Sequence, residues 1–268
     1  YGESPRGRSL GGSAASIGAV TAEELRDFHA RYFDPKRMVL SIVSGLSLKE
    51  LREIVRSSFG ALEGPAEVLT PTATLPGQGP AELTEPMEKA QVALLAARVL
   101  GPREEAPPGL RVLVDVLSAR MALELREKQG LAYSLGAGLR YVPGLAPGES
   151  DFGLLTLRIS TGAENREQAR RGILAELERM ASEPPSEEEI FRAVNGRWGR
   201  ELMRDLSRIH QAYRIGLAEH LGGGDPFDSP SREVASQRSV APERLAELAR
   251  QFLLQDDWIW VQAGGGLQ

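Results

Sequence analysis

The sequence of 268 residues contains no cysteine, and that absence excludes disulfide bridges, thiol nucleophiles and thiolate metal sites together. It has no apolar run near the roughly 18 residues that cross a bilayer, and it opens on the polar stretch YGESPRGRSLGGS rather than a signal peptide. The expected setting is therefore aqueous, cytoplasmic or periplasmic. There is no cluster of lysine and arginine, and the net charge is -5, so nucleic acid is not an expected partner. Histidine is scarce. His29, His210 and His220 stand outside any HxxH, HxxEH or HExxH spacing, the patterns that place two ligands on one helical face, so they are expected to pack or lie at the surface without a metal. No GxSxG elbow is present, and the glycine-rich LGAGLR and LGGGDP lack the strand-to-helix context of a phosphate loop.

What is present alternates between helical and strand-like patterns. TAEELRDFHARYF starts on Thr21 as an N-cap and carries Leu25, Phe28 and Tyr32 at helical spacing, RMVLSIVSG reads as a buried strand over 37–45, and SLKELREIVRSSFG begins another helix at Ser47. Residues 61–80 are crowded with proline and glycine and read as a linker. Beyond it, AQVALLAAR predicts a strand, and a long helix runs to Gly130 with Leu110, Leu113, Val114, Leu117, Met121 and Leu125 on one face. Two further strands, over 131–142 and 152–160, are separated by the turn-rich PGLAPGESD. A helix at 164–182 follows, then one unusually long helix from Ser186 that stops at LGGGDP, then the helix APERLAELARQFL and the strand WIWVQAG. Three glutamates after Ser186 suit a helix N-terminus. The order implies an α+β fold, a sheet covered by helices.

The chain also resembles itself. VTAEELRDFHARYFDPKRMVLSIVSG aligns with VAPERLAELARQFLLQDDWIWVQAG with one gap, so that Leu25 meets Leu245, Phe28 meets Leu248, Tyr32 meets Phe252 and Gly45 meets Gly264. The second copy closes a lobe over 81–268, whereas the first has only 19 residues before it. Residues 1–60 are therefore expected to be the C-terminal portion of a first, truncated lobe, homologous to the second.

One stretch carries candidate chemistry. In LREKQGLAY, Arg126 lies in the last helical turn, where a cation offsets the helix dipole, and Gly130 is placed to give a left-handed C-cap. Tyr133 falls in a strand-like pattern and reads as a half-buried aromatic with its hydroxyl at the sheet margin.

LREKQGLAYS resembles the arginine-tyrosine segment in the second lobe of the pitrilysin-type, or inverzincin, zinc metallopeptidases, the M16 peptidases. Residues 21–60 are similar to the end of that family's first lobe, and SEEEIFRAVNGRWGRELM to the long helix near the end of its second. The resemblance implies two α/β lobes, each a mostly antiparallel sheet covered by helices, facing across a chamber. It implies zinc on an HxxEH helix of the first lobe, and catalytic roles for Tyr133 and Arg126. HxxEH is absent here, so zinc is expected in a missing first-lobe portion or a partner chain, and this chain alone is expected to be inactive. The implied partners are peptide or unfolded protein, which would add to a sheet of one lobe as an edge strand, and a zinc-bearing lobe or subunit in a homo- or hetero-dimer. LSARMALEL stands where members often carry a glycine-rich turn. The family also contains inert members, so the alternative is a non-catalytic assembly subunit of the same fold.

Overall fold

The computed structural model describes residues 9–63, 80–142, 151–220 and 236–265. The linker's central part, most of the expected turn at 143–151 and the expected helix stop at 221–226 lie outside those residues. The chain divides into two compact units, one of Tyr1–Pro71 with Arg200–Pro230, the other of Thr72–Gly199 with Ser231–Gln268.

The second unit is built on a five-stranded sheet of β1 (Ala81–Glu85), β2 (Gln91–Pro102), β3 (Ser134–Val142), β4 (Phe152–Gly162) and β5 (Ile259–Gly264), in the order β1-β5-β2-β4-β3. Only β1 and β5 run parallel. The alternation of β2 explains why one face is covered: Val92, Leu94 and Ala96 are buried between exposed Gln91, Ala93 and Leu95. Cross-strand pairs Ala96 with Leu157, Ala137 with Leu157 and Leu139 with Leu155 continue the apolar face. Against it pack α4 (Leu110–Met121) and α5 (Arg166–Ser182), with α8 (Pro242–Phe252) packed on both helices. Leu113, Leu117, Met121 and Leu125, four of the six residues expected on one helix face, are wholly buried, and Leu110 and Val114 nearly so. Each such side chain contributes about 2 kcal/mol of burial. The α+β architecture expected from the sequence is the one observed.

The sequence missed β1. AELTE offers two apolar and three polar side chains to an edge, and its strand character comes from pairing with β5.

The first unit is helical among its described residues. It contains α1 (Ala14–Ala19), α2 (Ala22–Tyr32), α3 (Leu48–Phe59) and α7 (Arg208–His220). The expected capping residues act as read: Thr21 and Glu24 form a capping box on α2, and Ser47 and Glu50 another on α3. Two expectations are corrected. Residues 38–44 form no ladder, because a strand exists only through its neighbours and no other strand is present among the described residues of this unit. They are tied instead through the Ser41 hydroxyl, which donates to the Ala212 carbonyl at 2.6 Å. The single long helix from Ser186 is interrupted at Leu206 and Ser207, giving α6 (Glu187–Asp205) and α7. The Asp205 carbonyl there accepts from the Gln211 side chain at 2.6 Å, and its carboxylate pairs with Arg214 at 2.5 Å. These side-chain bonds replace the helical one.

Candidate functional site

The helix expected to reach Gly130 as regular α changes geometry at Ala122. From Ala122 to Lys128 it is π-helical, with the Gln129 amide donating to the Glu124 carbonyl at 3.1 Å. Gly130 then takes φ 63° and donates to the Arg126 carbonyl at 3.1 Å, while Leu131 donates to the Leu125 carbonyl at 2.8 Å. This is the left-handed cap the sequence predicts, closing a wider turn than predicted. The widened turn seats Leu125 on α5, where a Cβ at Gly172 would stand 2.5 Å from Leu125 Cδ2. A Cβ on Gly130 meets nothing within 4 Å. Gly130→Ala therefore costs only its backbone strain, about 1 kcal/mol, readable as a small drop in urea midpoint without loss of fold.

Arg126 and Tyr133 emerge at the two ends of this cap. Arg126 is half exposed and leans on its neighbour Glu127, with contacts of 2.8 and 2.9 Å. Both partners are open to water, so a substrate oxygen can displace the pair at little cost. Tyr133 departs from expectation. It is 93% exposed and precedes β3 rather than sitting in it. The cause lies just before it: Leu131 and Ala132 are both buried, which breaks the alternation, and the buried Thr161 hydroxyl pins the Leu131 carbonyl at 2.6 Å. The phenol is thrown outward from a fixed backbone. β3 is an edge strand, yet two of its backbone groups are already taken by α4. The Ala137 amide donates to Ser118 Oγ at 3.2 Å, and the Leu139 carbonyl accepts from Arg111 at 3.2 Å.

Beneath the π turn lies a charge network that the sequence reading did not find, its visible signals being the i,i+4 pair of Glu124 and Lys128 and the i,i+3 pair of Glu176 and Arg179. The Glu124 carboxylate accepts from Lys128 at 2.9 Å and Gln129 at 3.1 Å, bonds that hold its pKa below the usual carboxylate value. Arg179 on α5 lies 3.8 Å from Glu124 and 3.2 Å from Glu176. Glu176 is 3% exposed, its Oε2 has no hydrogen-bond partner, and burial pushes its pKa up. Beside it, Arg120 grips Glu189 with bonds of 2.7 and 3.1 Å and the Glu183 carbonyl at 3.0 Å. That bidentate pair, with help from Ser186, draws the Glu189 pKa down to about 2.

No three His, Cys, Asp or Glu side chains among the described residues could together hold a metal ion. His29 stacks on Phe33 at 4.8 Å and His210 tilts against Tyr213 at 6.1 Å, so these two rings have packing partners. No helix among the described residues is long and apolar enough to cross a membrane.

Comparisons with known proteins agree with this architecture. Residues 19–197 match the sequence model of the peptidase M16 inactive domain. An uncharacterized zinc protease of Streptomyces coelicolor is 28% identical over 264 residues, which is 94% of this chain and 56% of that protein. The chain thus spans little more than half the length of that relative. Among solved structures, a peptidase M16 inactive domain from Pseudomonas fluorescens is similar with a TM-score of 0.71 at 21% identity, over 100% of this chain and 63% of that one. A protease from Helicobacter pylori is similar with a TM-score of 0.69 at 15% identity, over 94% of this chain and 61% of that one.

Proposed function

We infer, because this chain belongs to the peptidase M16 family, that it supplies the substrate-binding and oxyanion-stabilising half of a peptidase site whose zinc is carried by another lobe or subunit. The observation that carries this reading is Tyr133, a phenol 93% exposed at the end of a pinned backbone. The ring contributes nothing to the core, and its hydroxyl stands open to an approaching carbonyl oxygen. Peptide hydrolysis puts negative charge on the scissile carbonyl oxygen, and a phenol aimed at it stabilises that charge. Arg126 offers a planar fork of donors for a substrate backbone carbonyl or carboxylate. Zinc on the other lobe would polarise the same carbonyl.

The first unit supports the same division of labour. Leu25 and Phe28 of α2 are 59% and 54% exposed, whereas their repeat counterparts Leu245 and Leu248 on α8 are wholly buried in the core of the second unit. We assign α2 and residues 38–44 to the end of a lobe whose sheet comes from the zinc-bearing part, and residues 81–268 to a second lobe of the same fold. The order of α8 and β5 repeats that of α2 and the extended segment.

The test is reassembly. Mixed with a zinc-bearing lobe of the family, the chain is expected to restore cleavage of fluorescein-labelled casein, which neither part performs alone. Absence of cleavage with such lobes, together with loss of a larger assembly when the chain is deleted, would instead establish the assembly-subunit role.

A further inference from the structure

Resting on the peptide-binding role of Arg126 given above, we propose that Glu124 and Arg179 form a positioning cluster, seated on buried Glu176, that fixes the π-helical turn and thereby the direction in which Arg126 meets substrate. Three observations converge. Glu124 ties the end of the turn from both backbone and side chain: its carbonyl accepts the Gln129 amide at 3.1 Å, and its carboxylate accepts Gln129 Nε2 at 3.1 Å and Lys128 Nζ at 2.9 Å. Gly172, Glu176 and Arg179 follow one another at i, i+4 and i+7, which places them along one face of α5. That face grips the turn twice, with Gly172 leaving room for Leu125 and Arg179 reaching Glu124 at 3.8 Å. Glu176 then accounts for Arg179. A carboxylate 3% exposed, with one oxygen unbonded, is costly unless a cation stands against it, and Arg179 does so at 3.2 Å. The charged groups acting on Glu176 are Arg179, Glu124, Arg120 and Lys128, three cations and one anion.

A π turn of seven residues is rarely stable by itself. If the turn relaxed to α geometry, Arg126 would rotate around the helix axis relative to the cap and Tyr133. Glu124 and Arg179 need not touch substrate to matter. They act through Arg126.

The experiment is binding of fluorescein-labelled casein to the whole chain, read by fluorescence polarisation, for wild type, Arg126→Ala, Glu124→Ala and the double variant. Arg126→Ala is expected to weaken binding about tenfold, the loss of one charge-assisted hydrogen bond. Glu124→Ala is expected to weaken it by a similar factor in the wild-type background and by nothing further once Arg126 is gone, with an unchanged melting temperature. If Glu124→Ala lowers the melting temperature, Glu124→Gln, which retains an acceptor for Lys128, takes its place and is expected to show the same non-additivity. Wild-type binding in both Glu124 variants beside a weakened Arg126→Ala overturns the positioning role and leaves the function standing. So does an equal loss in both backgrounds. Unchanged binding in Arg126→Ala overturns the peptide-binding role of Arg126, and this inference with it.

Discussion

Tyr133→Phe is expected to lower casein turnover by the reassembled peptidase by about two to three orders of magnitude, the usual effect of removing one oxyanion donor, while leaving the melting temperature of the chain unchanged. The two halves of that expectation come from one geometric fact. The side chain is 93% exposed, so deleting its hydroxyl removes no packing and orphans no buried partner. The backbone that carries it is held by the buried Thr161 hydroxyl on the Leu131 carbonyl and by the buried side chains of Leu131 and Ala132. None of these contacts involves the phenol. A loss confined to kcat would mean the hydroxyl acts where charge develops, whereas a rise in KM alone would mean that it only holds ground-state substrate. Turnover equal to wild type would remove Tyr133 from the mechanism.

The same residue shows where a sequence stops being readable. Alternation over 131–142 places Tyr133 on the core face with Leu135, Ala137 and Leu139, and only the consecutive burial of Leu131 and Ala132 overrules it. The Leu131 carbonyl is held there by the hydroxyl of Thr161, which lies 30 residues away in sequence. The helix caps were legible for the opposite reason: Thr21 with Glu24, and Ser47 with Glu50, satisfy backbone groups within three residues. Leu110 to Leu125 were legible because burial of one helix face leaves a period in the sequence. The π turn leaves none, since LELREK has ordinary helix-forming residues and its extra width is imposed from α5 through Gly172 and Arg179. Residues 38–44 illustrate the converse case. Their apolar pattern fits a buried strand, yet a ladder requires a neighbouring strand that the described residues of the first unit do not contain.

Arg120→Ala is the substitution expected to cost most in stability, about 3 kcal/mol by urea unfolding, because it removes a buried guanidinium together with two charge-assisted hydrogen bonds to Glu189 and one to the Glu183 carbonyl. Arg120 on α4 is 6% exposed and joins two other segments, taking both Glu189 oxygens on α6 and the Glu183 carbonyl at the end of α5. The pair also sets a pH dependence whose sign follows from the carboxylate. Glu189 titrates near 2 in the folded chain against an ordinary 4.5, so the unfolded state takes up its proton first. Its contribution is whole above pH 4.5 and is lost as the pH falls toward 2. With the side chain 31% exposed, solvent screening reduces that contribution to about 2 kcal/mol. In Arg120→Ala the acid limb between pH 4.5 and 2 should flatten, because Ser186 alone then holds the carboxylate. Glu189→Gln should flatten it too, while keeping an oxygen for the Ser186 amide. An acid limb as steep in both variants as in wild type would mean that other carboxylates govern acid unfolding and that the Arg120 pair joins the helices without stabilising them.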